Sequence, residues 1–233
     1  MQRPLRATLR DVAIFKGLTE DARGRIELSC TWKTWEREES ILRFQDETRD
    51  VYFLIAGKAR VMIYTPDGRQ VTFRDIGPGD MFGEFAAIDD APRSASVEAL
   101  QSCVVACMSG SEFRRMLRAE PTVMEAVLVH AIAQMRGLTA RIVEYSTLAA
   151  NLRIRAELLR LAKNGMVEGS DVVIYPVPTH AEIASRITTH REAVAREFTS
   201  LTKKGLIERQ GQQRIVVKDI ERLARMVEDA AGD

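Results

Sequence analysis

The chain has 233 residues, 45% apolar and 29% charged, with a formal charge of +1, so it has apolar material for two ordinary cores and an overall charge that names no partner. No run of about 18 apolar residues occurs, and the opening MQRPLRATLRD has no apolar core behind its arginines; no membrane span and no export signal are expected, and the expected location is cytoplasmic. Three cysteines are an odd set for a disulfide framework, and Cys103 and Cys107 sit inside the apolar run CVVACM, where packing explains them.

Residues 32–110 are punctuated by Gly57, Pro66-Asp67-Gly68, Gly77-Pro78-Gly79, Gly83 and Pro92, with runs such as VYFLIAG, ARVMIYT, QVTFRDI and SASVEAL between them. Short β-rich runs at such intervals predict a small all-β barrel or jelly roll, and Asp67-Gly68 predicts a hairpin turn.

From Pro121 the texture becomes helical. Met124, Leu128, Ala131, Met135, Leu138, Ile142, Tyr145 and Ala149 recur at alternating spacings of four and three, a heptad seam. Periodicity alone allows a core helix packed on its own domain or the seam of a homodimer. Asn151 to Lys163 continues in helical texture and opens the next domain, and Gly165 to Pro178 reads as a loop with one short strand around VVIY. The expected division is 1–119, a β-roll; 120–150, a long helix; and 151–233, a C-terminal domain.

Within the β region, GDMFGEFAAIDDAPRSASV spans 79–97. Gly83 permits a tight turn, and Phe85 to Ile88 (including Ala86) suits a short helix whose first N–H groups face an anion. Arg93, expected at the start of a strand, carries a planar fork that matches two phosphate oxygens. Glu84, acceptor-only when ionised, suits a sugar hydroxyl rather than a phosphate. The plain alternative is a Glu84–Arg93 ion pair across a barrel rim.

In 179–208, THAEIASRITTHREAVAREFTSLTKKGLIE, Thr179 and Glu182 form a capping box that starts one helix. Thr189 or His190 caps a second, whose stripe is Ala193, Val194, Phe198 and Leu201, and Gly205 ends it. LIERQGQQRIVV with a turn near Gly211 then completes a winged helix-turn-helix pattern. Val177 to Lys218 holds eight Lys/Arg against four Glu, so basic charge is concentrated here. Arg191, Glu192 and Arg196 lie off the apolar stripe; Arg donates twice to guanine and Glu accepts from cytosine, while a solvated charged face is the plain alternative. Lys203, Lys204, Arg209 and Arg214 suit backbone phosphates.

The ordered set Phe-Gly-Glu, short helix, Pro-Arg-Ser-Ala and strand resembles the phosphate-binding cassette of cyclic-nucleotide-binding domains. Its spacing is like that of kinase regulatory subunits, one residue shorter from Gly to Arg than in the enterobacterial catabolite activator protein. R-E-x-V-x-R at Arg191–Arg196 resembles the recognition helix of the Crp/Fnr superfamily. The resemblance covers about Val12 to Lys218 and implies an α+β regulator: a cyclic-nucleotide-binding β-roll, a dimerisation helix and a winged helix-turn-helix. It further implies a cyclic AMP or cyclic GMP ligand, half-sites of the TGTGA type in palindromic double-stranded DNA, and RNA polymerase as a partner. By resemblance Ser94, with Ala95 beside it, contacts the phosphate or a purine edge, a hydroxyl there being associated with tolerance of cyclic GMP, and Thr139 aligns with a helix serine that holds the base. Thr188 stands where relatives often have Gly, and His190 where serine is usual.

Other sensors and activities fit less well. An iron–sulfur cluster needs four cysteines where this chain has three, and His130, His180 and His190 all lie outside the β region, leaving a heme without its usual ligand. No triphosphate loop, no G-x-S-x-G and no paired-His metal motif occurs, so neither an enzyme nor a bound metal is expected, and a kinase regulatory subunit would carry tandem nucleotide domains.

Overall fold

The computed structural model describes residues 7–229, which form two compact units meeting between Met135 and Arg136. Residues 1–6 and 230–233, at the ends of the expected first and last domains, lie outside the described residues, as does the AAGD tail of the C-terminal stretch.

The first unit opens with turns at Leu9–Asp11 and Ala13–Phe15 and with α1 (Glu20–Leu28), capped by the Thr19 hydroxyl accepting from the Ala22 N–H. Strands follow as β1 (Thr31–Trp35), β2 (Ser40–Leu42), β3 (Val51–Ala56), β4 (Ala59–Tyr64), β5 (Gln70–Ile76) and β6 (Met81–Phe82). Then come α2 (Glu84–Asp89), β7 (Ser96–Ala99), β8 (Cys103–Met108), α3 (Gly110–Ala119) and α4 (Pro121–Thr147). The expected Asp67-Gly68 turn joins β4 to β5, Gly68 taking a φ of 79°. Two antiparallel sheets result, ordered β1-β8-β3-β6 and β2-β7-β4-β5.

Strand alternation builds two cores from one sheet. Tyr52 and Leu54 of β3 and Val105 and Cys107 of β8 join Ala59, Ile76, Val97 and Ala99 in a cluster between the sheets. Val51, Phe53, Ala106 and Met108 face the other way and pack under Phe15, Ile26, Phe113, Met116, Val123 and Val127. This is a β-roll whose outer face is covered by helices. The helices at its start and end lack a heptad and are legible mainly through their caps, such as Ser109, which accepts from the Glu112 N–H.

Helix α4 has two faces. Val123 and Val127 are buried in the first unit's core, whereas the seam positions Met124, Leu128, Met135, Leu138 and Ile142 are 46–67% exposed. The helix stops at Thr147, so the periodic position Ala149 does not extend the seam; it is the N-cap of the next helix, α5 (Ala150–Lys163).

The second unit continues with β9 (Met166–Glu168), β10 (Asp171–Ile174), α6 (His180–Arg186), α7 (Arg191–Lys203), β11 (Ile207–Gln210), β12 (Arg214–Val217) and α8 (Ile220–Glu228). The segment read as one strand around VVIY is thus a hairpin of two, in an antiparallel sheet ordered β11-β12-β10-β9. Ile154, Leu158, Ile183, Val194, Phe198, Leu201, Ile215 and Leu223 form the core of this winged helix-turn-helix. The capping box at Thr179 and Glu182 is formed in full. Thr188, in the turn between α6 and α7, has a φ of 50°, a conformation costly for a β-branched residue.

Buried charge ties the helices of this unit together. Glu157, 2% exposed, accepts from Arg160 Nε at 2.9 Å and Arg186 Nη1 at 3.3 Å, and Arg160 Nη1 reaches Glu144 at 2.6 Å. The Arg186 carbonyl, at the open end of α6, accepts from Tyr145 Oη at 2.8 Å and Arg141 Nη1 at 3.2 Å. Arg155 and Glu197, each 8% exposed, pair at 2.7 Å.

Candidate nucleotide pocket and DNA-reading surface

Gly83 ends the chain's approach to α2 with a φ of 82°; a Cβ there would lie 2.9 Å from Arg93 Nη1 and 3.1 Å from the Asp50 carbonyl. Glycine is therefore required twice, by its φ and by the space it leaves. Arg93 is not at a strand start, as its sequence context suggested: it sits in the turn three residues before β7 and is only 2% exposed. Its Nη1 donates to the Gly83 carbonyl at 2.6 Å, Nη2 to the Asp50 carbonyl at 2.8 Å and Nε to Thr48 Oγ1 at 3.0 Å. The Arg93 carbon of the guanidinium also stands 5.8 Å from the Tyr52 ring, which stacks on Phe82 at 5.2 Å. These partners hold the cation in one place while leaving two of its five N–H donors without a bond to another described residue. Burial lowers the Arg93 pKa from its ordinary value and pushes the Tyr52 phenol up to about 12.

Glu84, 5% exposed, accepts from Gln134 Nε2 of α4 at 3.2 Å. The ion pair with Arg93 that the residue types allowed is not formed: each charge has other partners. Gly83, Glu84, Phe85, Ala86, Arg93, Ser94 and Ala95, the predicted set, line one pocket together with Leu42, Val61, Arg74, Phe82, Val97 and Gln134. It encloses about 450 Å³ of empty space, part of it open to solvent. The second group was missed by motif reading. Strand alternation from Ile76, which shares its face, is the signal that finds Arg74; Gln134 lies off the heptad and carries no such mark. Thr139 is exposed on the part of α4 in the second unit and does not line the pocket.

The DNA-reading candidates lie in the second unit. Arg191 and Glu192 open α7 and Arg196 follows one turn later; all three are exposed, and their side chains make no hydrogen bond to another described residue. His190, not Thr189, occupies the N-cap, without a side-chain cap bond, and Lys203 and Lys204 are exposed at the far end. Arg214 differs, since its Nη2 is bonded to Glu168 at 2.7 Å, and Thr179 is committed to its capping box. Burial, then Arg209 and Arg191, lowers the His180 pKa, and the ring packs edge-on against Phe198 at 5.1 Å. The seam candidate Tyr145 is engaged within its own chain, by Arg186 and by Arg153 5.5 Å from its ring. Among the described residues, none form a cluster of three or more metal-ligating side chains, and no helix is long and apolar enough to cross a membrane.

Comparison with known proteins gives the same two parts. The cyclic nucleotide-binding domain family matches residues 32–120 and the Crp-like helix-turn-helix domain family residues 152–226. The transcriptional regulator LdrP of Thermus thermophilus is 32% identical over 198 residues, 83% of this chain and 95% of that protein. A CRP-like cAMP-activated global transcriptional regulator of Mycobacterium tuberculosis is 25% identical over 218 residues, 93% of this chain and 97% of that one. The solved structure of a CooA mutant from Carboxydothermus hydrogenoformans has a TM-score of 0.81 at 17% identity, covering 97% of this chain and 98% of that one, a likeness of fold. The chain belongs to the Crp/Fnr superfamily of transcription regulators, with a cyclic nucleotide-binding domain followed by a Crp-like helix-turn-helix.

Proposed function

We propose that the chain is a non-catalytic, cyclic-nucleotide-gated, homodimeric DNA-binding regulator with cyclic AMP as its first ligand. The observation that carries this reading is Arg93, a cation 2% exposed and fixed by three protein oxygens in a pocket it shares with buried Glu84. Keeping a guanidinium buried beside a carboxylate it does not pair with makes sense where a ligand brings both an anion and a hydroxyl. Arg93 and Ser94 take the phosphate and Glu84 the ribose, while Thr139, outside the pocket of its own chain, meets the base from the dimer seam; the cAMP-activated relative supports adenine.

The exposed seam from Met124 to Ile142 supports dimerisation, since so much apolar side chain on one helix is unfavourable in water. Ligand binding then shifts the population toward the dimer arrangement that sets both α7 helices about 34 Å apart, on successive major grooves of a TGTGA-type palindrome. Arg191, Glu192 and Arg196 read G·C pairs, with His190, Lys203 and Arg214 on phosphates; Arg214 must exchange Glu168 for that contact. RNA polymerase is the expected protein partner, and the cytoplasm the expected location.

Fluorescence anisotropy of a labelled palindrome, with cyclic AMP, cyclic GMP or neither, tests this in wild type and Arg93→Ala. Binding that needs a cyclic nucleotide and is lost in the variant is expected. Ligand-independent binding would remove the gate, and absence of binding in every condition would remove the DNA reading.

A further inference from the structure

One charged residue of the pocket has no part in the reading above. On β5, Arg74 and Ile76 share a face, opposite Val61 and Ala59 of β4, and Ile76 is buried in the cluster between the sheets. Arg74, on the side of Ile76 and lining the pocket, therefore points into the β-roll, where a cation is unfavourable without partners. Its Nη2 donates to the Met81 carbonyl at 3.3 Å, a long bond that uses one of five donors.

The strand register places this guanidinium at the end of a row. Leu42 stands opposite Val97, Val97 opposite Val61, and Val61 opposite Arg74, and all four line the pocket. Three adjacent apolar side chains form a floor suited to the face of a planar ring, and a fork of donors closes it. The Arg93-Ser94-Ala95 segment enters β7, which is two strand spacings, about 10 Å, from β5. That is the scale of a mononucleotide, so a ligand held by its phosphate near Arg93 extends its base along the floor toward Arg74.

We propose that Arg74 is a base-reading residue of this pocket and admits cyclic GMP as a second ligand by donating to O6 and N7 of guanine. Both guanine atoms are acceptors, whereas adenine sets an N6 donor beside its N7. A guanidinium has donors only, so it pairs with guanine and confronts adenine with a like group. This rests on the cyclic-nucleotide reading of the pocket.

Isothermal titration of the full chain with cyclic AMP, cyclic GMP and cyclic inosine monophosphate tests it in wild type and Arg74→Met. The inosine analogue keeps O6 and N7 but lacks the 2-amino group. The ratio of cyclic GMP to cyclic AMP affinity is expected to fall about tenfold or more in the variant, with the inosine analogue following cyclic GMP. Arg74→Lys keeps the charge without the fork; it is expected to move the ratio the same way, and it serves if Arg74→Met fails to fold. An unmoved ratio in the folded variants, an inosine analogue that behaves like cyclic AMP, or a wild type that binds cyclic AMP but not cyclic GMP would each overturn the role of Arg74 alone. A wild type that binds no cyclic nucleotide would overturn the ligand reading of the pocket and this inference with it.

Discussion

The proposed nucleotide pocket and the start of α7 both set arginine beside glutamate, yet the molecule treats the two pairs in opposite ways. Arg93 and Glu84 are 2% and 5% exposed and already bonded to protein. The side chains of Arg191, Glu192 and Arg196 are exposed and make no hydrogen bond to another described residue. A small anion must be gripped from within, by donors that are oriented before it arrives, and that orientation is built from backbone carbonyls. A duplex is met from outside, by side chains long and solvated enough to reach base edges. On the proposed reading, recognition and folding share the same bonds in the pocket and are separate on α7.

The strongest way to break this comparison is Arg93→Ala. It should abolish measurable cyclic-nucleotide binding in calorimetry. It should also cost about 2–4 kcal/mol of stability in denaturant unfolding, because the Gly83 and Asp50 carbonyls lose a charged donor in a buried place. Retention of full stability would show that the pocket is not part of the fold. Next in size, Glu157→Ala should lower stability by about 3 kcal/mol, since it leaves Arg186 and Arg160 without their buried acceptor. Its urea midpoint should fall without change in slope, and a midpoint equal to wild type would contradict the role given to the helix-linking ion chain.

Arg196→Ala should do the reverse of Arg93→Ala. Specific DNA affinity should drop by about 1–3 kcal/mol, with G·C preference relaxed at one position, while stability stays within about 0.5 kcal/mol. A destabilised variant would mean that α7 is less free than its exposure implies. Thr188→Gly relieves a φ of 50° and should raise the melting temperature by an amount equivalent to about 1 kcal/mol. Smallest of all, Lys203→Ala should weaken binding to all sequences alike and reduce the salt slope of DNA binding by about 1. A sequence-selective loss would move Lys203 from the phosphates to the bases.

Legibility differed between the two regions for the same reason. The α7 surface could be read directly because capping, apolar stripe and charged face are local: Thr179 with Glu182 and Val194 with Phe198 fall within one or two helical turns. The pocket could be read only in its contiguous stretch, Gly83 to Ala95. Thr48 and Asp50, which hold Arg93, come from more than forty residues earlier in the chain. Arg74 and Gln134 enter the pocket from a strand and a helix that no motif connects. The seam shows the limit of periodicity, because the heptad runs through Ala149 whereas α4 ends at Thr147.

Local order therefore settled the long helix, the helix-turn-helix, the two motifs and their sequence along the chain, since capping, turn chemistry and hydrophobic period act over a few residues. Long-range packing settled the rest. It turned Arg93 inward onto distant carbonyls, kept Glu84 from pairing with it, tied Arg214 to Glu168 and closed the row from Leu42 to Arg74 across four strands. Partners of that kind are chosen by strand register and burial, where the cost of an unpaired polar group depends on which neighbours the fold brings near and not on their spacing in the chain.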